Sequence, residues 1–294
     1  MPGNGGRLGI LAGSGDLPWI GARAALAAGE DITIFYYTRE EPPEDLKKYA
    51  VQVKLLKIFS SVQKKMLEHR IKRLLLLGKA NREELYKNSI FSFDFRLLYL
   101  LRRSETQSDY NIFDLLASEF ERKGIRIISQ KKYLKKLFLP LGRYGKKCSP
   151  AELEDISYGI RYAREMNRLD IGQTVVAGKK CILAVECAEG TDRCIVRGGE
   201  LFHKGGAVVC KTAKEDHDMR FDIPTFGVST IKSMKKSGCR VLAVEASLAI
   251  SVNPDEVIRE AKRNNITIIA LEPENSDISS LKILNQKEAV LMTL

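Results

Sequence analysis

The sequence has few of the residues that serve zinc, redox or covalent chemistry. In 294 residues there are six cysteines, without a CxxC pair, and three histidines. His203 and His217 fit neither an HExxH motif nor a Cys/His zinc spacing, and no GxSxG element occurs. No cysteine has an obvious base nearby in sequence, so we predict neither a zinc site nor a covalent nucleophile. A chain of this length folds without disulfides, so we expect reduced thiols, as in a cytoplasm.

Long hydrophobic runs are also missing. The densest apolar runs, Leu74–Leu77 and Leu97–Leu101, are far too short to span a bilayer, and the N-terminus has no apolar stretch resembling a signal sequence. We therefore expect a cytoplasmic protein.

Positive charge is concentrated in one half of the chain. The formal net charge is +11, and residues 1–150 hold 28 Lys and Arg against 16 Asp and Glu, whereas residues 151–294 hold 20 against 21. Different electrostatics in the two halves predict two domains with different roles. We expect an N-terminal domain over 1–137, a linker over 138–148 and a C-terminal domain over 149–294.

Hydrophobic periodicity predicts an α/β fold in both halves. Up to about residue 130, short β-branched or apolar runs alternate with helix-length segments, which is typical of βαβ units and a parallel sheet. The second half reads as mixed α/β. Its first helix begins at the capping box Ser149-Pro150-Ala151-Glu152, and a hairpin follows near Gly178-Lys179.

Two glycine-containing turns lie at the ends of predicted strands in the first half. ILAGSGDLP (10–18) sets Gly13, Ser14, Gly15 and Asp16 between a strand and a helix, where backbone amides can approach a phosphate. LGKANR (77–82) places Lys79 and Asn81 at a strand end, where they can reach an anionic or sugar group. A tight structural turn and a solvated loop have the same patterns, so both alternatives stay open.

The stretch 169–227 is the richest in chemistry. It combines oxygen ligands near predicted strand ends and turns with several cations, as Mg²⁺-assisted work on a phosphate ester requires. Any one of these charges taken singly is also typical of a surface ion pair. The residues in question are Asp170, Gln173, Glu186, Glu189, Thr191, Asp192, Lys204, Lys211, Lys214, Asp218, Arg220 and Asp222.

These segments, together with DISYGI (155–160), LDIGQ (169–173), AVECAEGTD (184–192), KGGAVVCKTAK (204–214) and RFDIPTFG (220–227), resemble the LpxI-type UDP-2,3-diacylglucosamine pyrophosphatases of lipid A biosynthesis. The resemblance is ordered and covers nearly the whole chain. It implies a Rossmann-like N-terminal domain with a parallel sheet and a separate mixed α/β C-terminal domain. It also implies Mg²⁺-dependent hydrolysis of the lipid-linked substrate to UMP and 2,3-diacylglucosamine 1-phosphate (lipid X).

Carried over by position, the resemblance implies that Asp222 is the catalytic carboxylate and metal ligand, with Asp192 and Lys211 as further catalytic residues. Where the family commonly has Gln-Asp-Arg-Arg, this chain has HDMR at 217–220, so Asp218 and Arg220 keep their residue types. The substrate-binding residues expected on this basis are Gly13, Ser14, Gly15, Asp16, Lys79, Asn81, Gln173, Glu189, Thr191, Lys214, Arg220 and Thr225.

Two other functions remain as alternatives. The basic N-terminal half suits a nucleic-acid-binding module, but aromatic side chains are not interleaved with the basic run, and a carboxylate-rich half has no place in one, so we expect no nucleic acid partner. A non-catalytic nucleotide sensor is the other. The stretch 131–141 (KKYLKKLFLPL) mixes Lys with Leu and Phe, which predicts either a peripheral contact with the cytoplasmic face of the inner membrane or a linker helix.

Overall fold

The computed structural model describes residues 6–54, 61–79, 109–202, 205–214, 218–221, 223–273 and 276–289. These residues form two units. The first unit runs to Lys135 and also includes the segment 218–221, whereas the second takes the remainder from Lys136 onward. The segment 218–221 therefore belongs to the first unit, although it lies within the predicted C-terminal domain over 149–294. Part of the predicted linker over 138–148 forms a strand of the second unit.

The first unit is built around a five-stranded parallel sheet of order β3-β2-β1-β4-β5. The inner strands β1 and β4 are nearly continuous apolar runs because helices cover both faces of such a sheet. The elements are β1 (Arg7–Ala12), α1 (Leu17–Ala27), β2 (Ile32–Tyr36), a 3₁₀ turn (Glu44–Tyr49), β3 (Ala50–Gln52), α2 (Gln63–Glu68), β4 (Ile71–Leu77), α3 (Asp109–Glu121), β5 (Arg126–Ile127) and α4 (Lys131–Leu134).

A largely buried ion cluster lies near the amino ends of β2 and β4. The Glu30 carboxylate is 12% exposed and accepts hydrogen bonds from Arg73 Nη2 (2.6 Å), Lys132 Nζ (3.1 Å) and Tyr133 Oη (2.5 Å). The hydrogen bonds from Arg73, then those from Tyr133 and Lys132, outweigh the opposing effect of burial and lower the pKa of Glu30 to about 2.

This cluster predicts acid sensitivity of the first unit. Because the folded-state pKa of Glu30 lies below its unfolded value, its stabilisation is complete above about pH 4.5 and is lost as the pH falls toward 2. We expect Glu30→Gln to lower the free energy of unfolding by about 2–3 kcal/mol at pH 7 and by much less near pH 2. Trp19 is the single tryptophan and lies in α1, so its fluorescence in urea titrations reports on this unit. A difference between wild type and variant that does not change with pH would contradict the prediction.

The second unit contains a six-stranded mixed sheet of order β6-β13-β11-β9-β7-β8, in which β9, β11 and β13 run parallel. A separate two-stranded ladder pairs β10 with β12. The elements are β6 (Gly142–Tyr144), α5 (Pro150–Arg168), β7 (Thr174–Gly178), β8 (Cys181–Val185), α6 (Thr191–Leu201), β9 (Val208–Lys211), β10 (Thr225–Phe226), α7 (Val228–Lys236), β11 (Val241–Glu245), β12 (Ile250–Ser251), α8 (Pro254–Arg263), β13 (Thr267–Leu271) and α9 (Ile278–Gln286), with a 3₁₀ turn (Lys135–Leu137) before β6.

Side chains of the second sheet alternate between two apolar layers. In β11, Val241 and Ala243 pack with α5 and α9, whereas Leu242 and Val244 pack on the other face with α6, α7 and α8. Since both faces are covered, strands β7, β9, β11 and β13 are buried throughout, whereas the edge strand β8 is partly exposed. The predicted α/β chain, with a parallel N-terminal sheet and a separate mixed C-terminal α/β region, is confirmed.

The two local signals predicted at the start of the second half are both present. Ser149 Oγ accepts the Glu152 N–H, and the Glu152 carboxylate accepts the Ser149 N–H, so the capping box of α5 is complete. The β7–β8 hairpin turns at Lys179 and Lys180, both with positive φ (52° and 56°), as a type I′ turn requires.

Asp155 on α5 stabilises that turn. Its buried carboxylate accepts the backbone N–H groups of Lys179 (2.9 Å) and Lys180 (2.6 Å), which offsets the cost of two non-glycine residues in the left-handed region. We expect Asp155→Ala to lower the free energy of unfolding by about 2–3 kcal/mol because it leaves two N–H donors without an acceptor. Asp155→Asn keeps one acceptor oxygen and should cost about half as much. Urea denaturation followed by circular dichroism measures both, and equal values for the three proteins would contradict the assignment.

Helix α6 was not predicted from the sequence. It contains the pair Gly198-Gly199, which is unfavourable inside a helix. Tertiary packing explains the helix, since a Cβ on Gly198 would lie 2.6 Å from Cβ of Val176 and one on Gly199 would lie 2.3 Å from the Ser237 carbonyl oxygen. The glycines permit close helix packing, and this packing outweighs their low propensity.

Most apolar side chains of the stretch 131–141 pack inside the protein, whereas Leu141 is exposed. Tyr133, Leu134, Leu137, Phe138 and Leu139 are all buried. Burial within the protein explains most of the Lys/Leu pattern of this stretch, and the peripheral membrane contact stays a prediction. Within the described ranges, no helix has both the length and the apolar character needed to cross a bilayer.

Candidate active site

The two glycine turns of the first half meet at one point of the first sheet. The Gly13 N–H donates to the Leu77 carbonyl (2.7 Å), and Ser14 and Lys79 exchange backbone hydrogen bonds (3.0 Å each). A Cβ on Gly13 would lie 2.5 Å from the Lys79 carbonyl oxygen, so only glycine permits this approach. The turns follow β1 and β4, the adjacent strands between which the chain order reverses, and ligands of doubly wound sheets bind at that position.

The position where β1 and β4 end offers both hydrogen-bond donors and hydrogen-bond acceptors. Gly15 (φ 93°) and Asp16 lie at the start of α1, and both are exposed. Lys79 is exposed as well. Backbone N–H groups at a helix N-terminus favour anions, but the carboxylate of Asp16 accepts hydrogen bonds and suits hydroxyl groups. Such a mixed edge fits a sugar or nucleoside next to a phosphate. Asn81, predicted for the same edge, lies outside the described residues.

A second polar edge lies in the second unit, where β8 and β9 end and β7 begins. Thr174 pairs with Lys211, and Val175 pairs with Val185 on the other side, so Glu186 follows next to the same edge. Helix α6 begins there with Thr191, directly after the left-handed Gly190 (φ 84°).

Lys211 is the centre of this edge. It is 3% exposed, and its Nζ lies 3.0 Å from Thr191 Oγ1, 3.2 Å from Thr174 Oγ1 and 3.7 Å from Glu186 Oε2. Thr191 in turn donates its hydroxyl hydrogen to Glu186 Oε1 (2.8 Å). An ammonium group is thereby held in one position, and the first-turn N–H groups of α6 add partial positive charge. The arrangement suits a phosphate or diphosphate.

Two carboxylate oxygens at this edge have no hydrogen-bond donor among the described residues. They are Glu186 Oε2 and Asp192 Oδ1, and both are buried. Hard oxygens of this kind fit Mg²⁺, which in phosphate sites is held by one or two carboxylates together with the substrate. The described part of the chain contains no group of three His, Cys, Asp or Glu side chains that could enclose an ion on its own.

Glu189 stabilises the turn before α6. Its Oε2 accepts the Cys187 N–H (3.1 Å), and its Oε1 accepts from Arg197 Nη2 (2.6 Å), which also donates to the Val185 carbonyl. Burial opposes ionisation, but the backbone N–H bonds and Arg197 lower the pKa of Glu189. This predicted substrate-binding residue therefore also fixes the conformation of the EGTD turn.

The neighbouring loops bring in two more predicted residues. The Gln173 carbonyl accepts the Thr212 N–H (3.0 Å), and Lys214 Nζ lies 3.9 Å from Asp170 Oδ1. Gln173, Thr191, Asp192, Lys211 and Lys214 thus all belong to one edge of the second sheet. Thr174 was missed, and it carries no sequence signal beyond its place at the start of a strand.

Two other predicted residues, Arg220 and Thr225, lie elsewhere. Arg220 is in the first unit, where Asp218 binds its guanidinium (2.6 Å) and raises its pKa. Thr225 is in β10 and donates to the Ile223 carbonyl (2.8 Å). Asp222 lies outside the described residues.

The cysteines take no evident part in either edge. All six are free, as predicted, and burial raises the pKa of Cys194 to about 12, which keeps this thiol protonated and unreactive at neutral pH.

Comparisons with known proteins identify the family of the chain. Residues 7–137 match the model of the LpxI N-terminal domain, and residues 141–269 match that of the LpxI C-terminal domain. A protein of Caulobacter vibrioides named UDP-2,3-diacylglucosamine pyrophosphatase LpxI is 28% identical over 276 residues, covering 91% of this chain and 98% of that protein. With both domain models matched in order along most of its length, the chain belongs to the LpxI family.

Proposed function

We propose that this chain hydrolyses the diphosphate of UDP-2,3-diacylglucosamine, in the presence of Mg²⁺, to UMP and 2,3-diacylglucosamine 1-phosphate in lipid A biosynthesis. The observation that carries the proposal is the buried Lys211, fixed between two threonine hydroxyls and Glu186 at the N-terminus of α6. A relative covered over nearly its whole length is named for this substrate.

Lys211 would stabilise the negative charge that increases on the phosphate oxygens as water attacks phosphorus. A cation fixed before the reaction acts without reorganisation, and in a buried site its field is weakly screened. The first N–H groups of α6 would donate hydrogen bonds to the same oxygens. Lys214, at the end of the same segment, would neutralise the second phosphate.

Mg²⁺ is part of the proposal because of the donor set. The oxygens of Glu186 and Asp192 that lack a hydrogen-bond donor fit a hard divalent cation. The family resemblance implies that Asp222 is also a metal ligand. When bound, such an ion polarises phosphoryl oxygens and lowers the charge that the leaving group must bear. Since the substrate carries two acyl chains, we also propose that the chain acts at the cytoplasmic face of the membrane that holds this lipid.

The deciding experiment supplies the purified full-length chain with UDP-2,3-diacylglucosamine and detects both products by mass spectrometry. We expect equimolar UMP and 2,3-diacylglucosamine 1-phosphate, and loss of both on chelation with EDTA, reversed by added Mg²⁺. In water enriched in oxygen-18, the product that carries the label identifies the attacked phosphorus. Tight binding of the UDP-lipid without turnover would instead indicate a nucleotide sensor. Salt-dependent retention on RNA without hydrolysis would indicate a nucleic-acid-binding protein.

A further inference from the structure

Two residues, Thr212 and Ala213, separate the two lysines assigned to the phosphates. β9 ends at Lys211, and the Thr212 N–H beyond it still donates to the Gln173 carbonyl, whereas the Thr212 carbonyl and the Ala213 N–H need partners outside the ladder. Both residues are buried, at 0% and 6% exposure, and buried N–H and C=O groups require partners from elsewhere in the fold.

Polar side chains from two other elements supply those partners. Asn167 Nδ2, near the end of α5, donates to the Thr212 carbonyl (2.8 Å). Glu245 Oε2, at the end of β11, accepts the Ala213 N–H (2.8 Å). Glu245 is 3% exposed, so its carboxylate is buried directly beneath the segment that joins Lys211 to Lys214.

Arg164 fixes the other oxygen of Glu245. Its Nε donates to Glu245 Oε1 (2.9 Å), Nη1 donates to Ser276 Oγ (3.1 Å) and Nη2 donates to the Pro273 carbonyl. The pair connects the segments that follow β9, β11 and β13. An apolar pair would fill the same space at a lower desolvation cost, but it could not bind the Ala213 N–H.

We infer that Glu245 is a positioning residue for the phosphate-binding lysines. With Arg164, it fixes the backbone at Ala213 and so sets the direction in which Lys214 leaves the sheet and the position of the strand end that carries Lys211. The inference rests on the proposed function, since it assigns these lysines to the substrate's phosphates.

Glu245→Gln tests this role, and Asp155→Asn is its matched control. Both replace a buried carboxylate that accepts backbone N–H groups in the second unit, but Asp155 acts at the β7–β8 turn, at the opposite edge of the sheet. We expect Glu245→Gln to lower kcat/KM for UMP release by about 10–100-fold, as a small displacement of catalytic groups does. Binding of inorganic pyrophosphate with Mg²⁺ should weaken by about tenfold in calorimetry. Amide exchange of residues 212–214 should rise, whereas Asp155→Asn should leave all three measurements unchanged.

Each outcome decides the inference. If Glu245→Gln lowers the melting temperature as Asp155→Asn does but retains kcat/KM and pyrophosphate affinity, Glu245 supports only the fold and the inference is wrong. If the wild type binds pyrophosphate but releases no UMP, the proposed function fails, while the binding and exchange data still test Glu245. A wild type that neither releases UMP nor binds pyrophosphate overturns both. Should Glu245→Gln not fold, Arg164→Lys keeps the charge but loses the planar fork, and the same loss of affinity is expected of it.

Discussion

Lys211→Met is expected to lower kcat/KM for UMP release by about 10²–10³-fold, the usual effect of removing a preorganised group that stabilises transition-state charge. Methionine approximates the length of the lysine side chain without its ammonium group. The loss should fall mainly on kcat, because charge on the phosphate oxygens is greatest in the transition state. Steady-state kinetics with mass detection of UMP measures it. A wild-type kcat in the variant would show that Lys211 has no role in the mechanism.

A second variant separates chemistry from folding. Lys211→Met leaves the partly buried Glu186 without its cation, and breaking a largely buried pair in this way costs about 3 kcal/mol. The double variant Lys211→Met with Glu186→Gln removes the orphaned charge, so most of the stability should return. Activity should stay low. If activity returned together with stability, the effect of the single variant would be one of folding alone.

Asp222→Asn is expected to have the largest effect on turnover, about 10³-fold or more, if this carboxylate handles the metal and the attacking water as the family resemblance implies. The amide keeps the size of the side chain and loses its charge and basicity. The variant should also need a higher Mg²⁺ concentration for half-maximal residual activity, and a magnesium titration of both proteins measures this shift.

The control for Asp222→Asn is Asp277→Asn. Asp277 caps α9 by accepting the N–H groups of Ser279 and Ser280, and asparagine caps a helix about equally well. Its replacement should leave both turnover and the magnesium dependence at wild-type values. Full activity in Asp222→Asn would refute its assignment as catalytic residue.

Local signals predicted most of the elements. The capping box at Ser149 marked the start of α5, and the hairpin expected near Gly178-Lys179 is present between β7 and β8. Such features depend on a few neighbouring residues, so they are readable without knowledge of the fold. Helix α6 was missed because its glycines are favourable only against Val176 and Ser237, which lie far from them in sequence.

Part of the candidate site was predictable for the same reason. EGTD and the lysines of KTAK lie at strand ends, and strand ends of one sheet edge come together once the strand order is known. The roles of Thr174 and Glu245 were not predictable, since neither belongs to a motif and both act through residues distant in sequence. The apolar residues of 131–141 could not be assigned either, because amphipathic periodicity does not distinguish a protein neighbour from a lipid one.

Residues 218–221 belong to the first unit, and this limits how the protein can be divided into fragments. Phe221 is 3% exposed in that unit's core, and the Gln130 N–H donates to the Met219 carbonyl (2.8 Å). A gene fragment ending at Lys135 would therefore encode an incomplete hydrophobic core, and the complementary fragment would contain residues 218–221 without the core in which Phe221 is buried. Expression of isolated halves is therefore unsuitable for assigning activity to either one. Site-directed substitutions in the intact polypeptide are the appropriate approach.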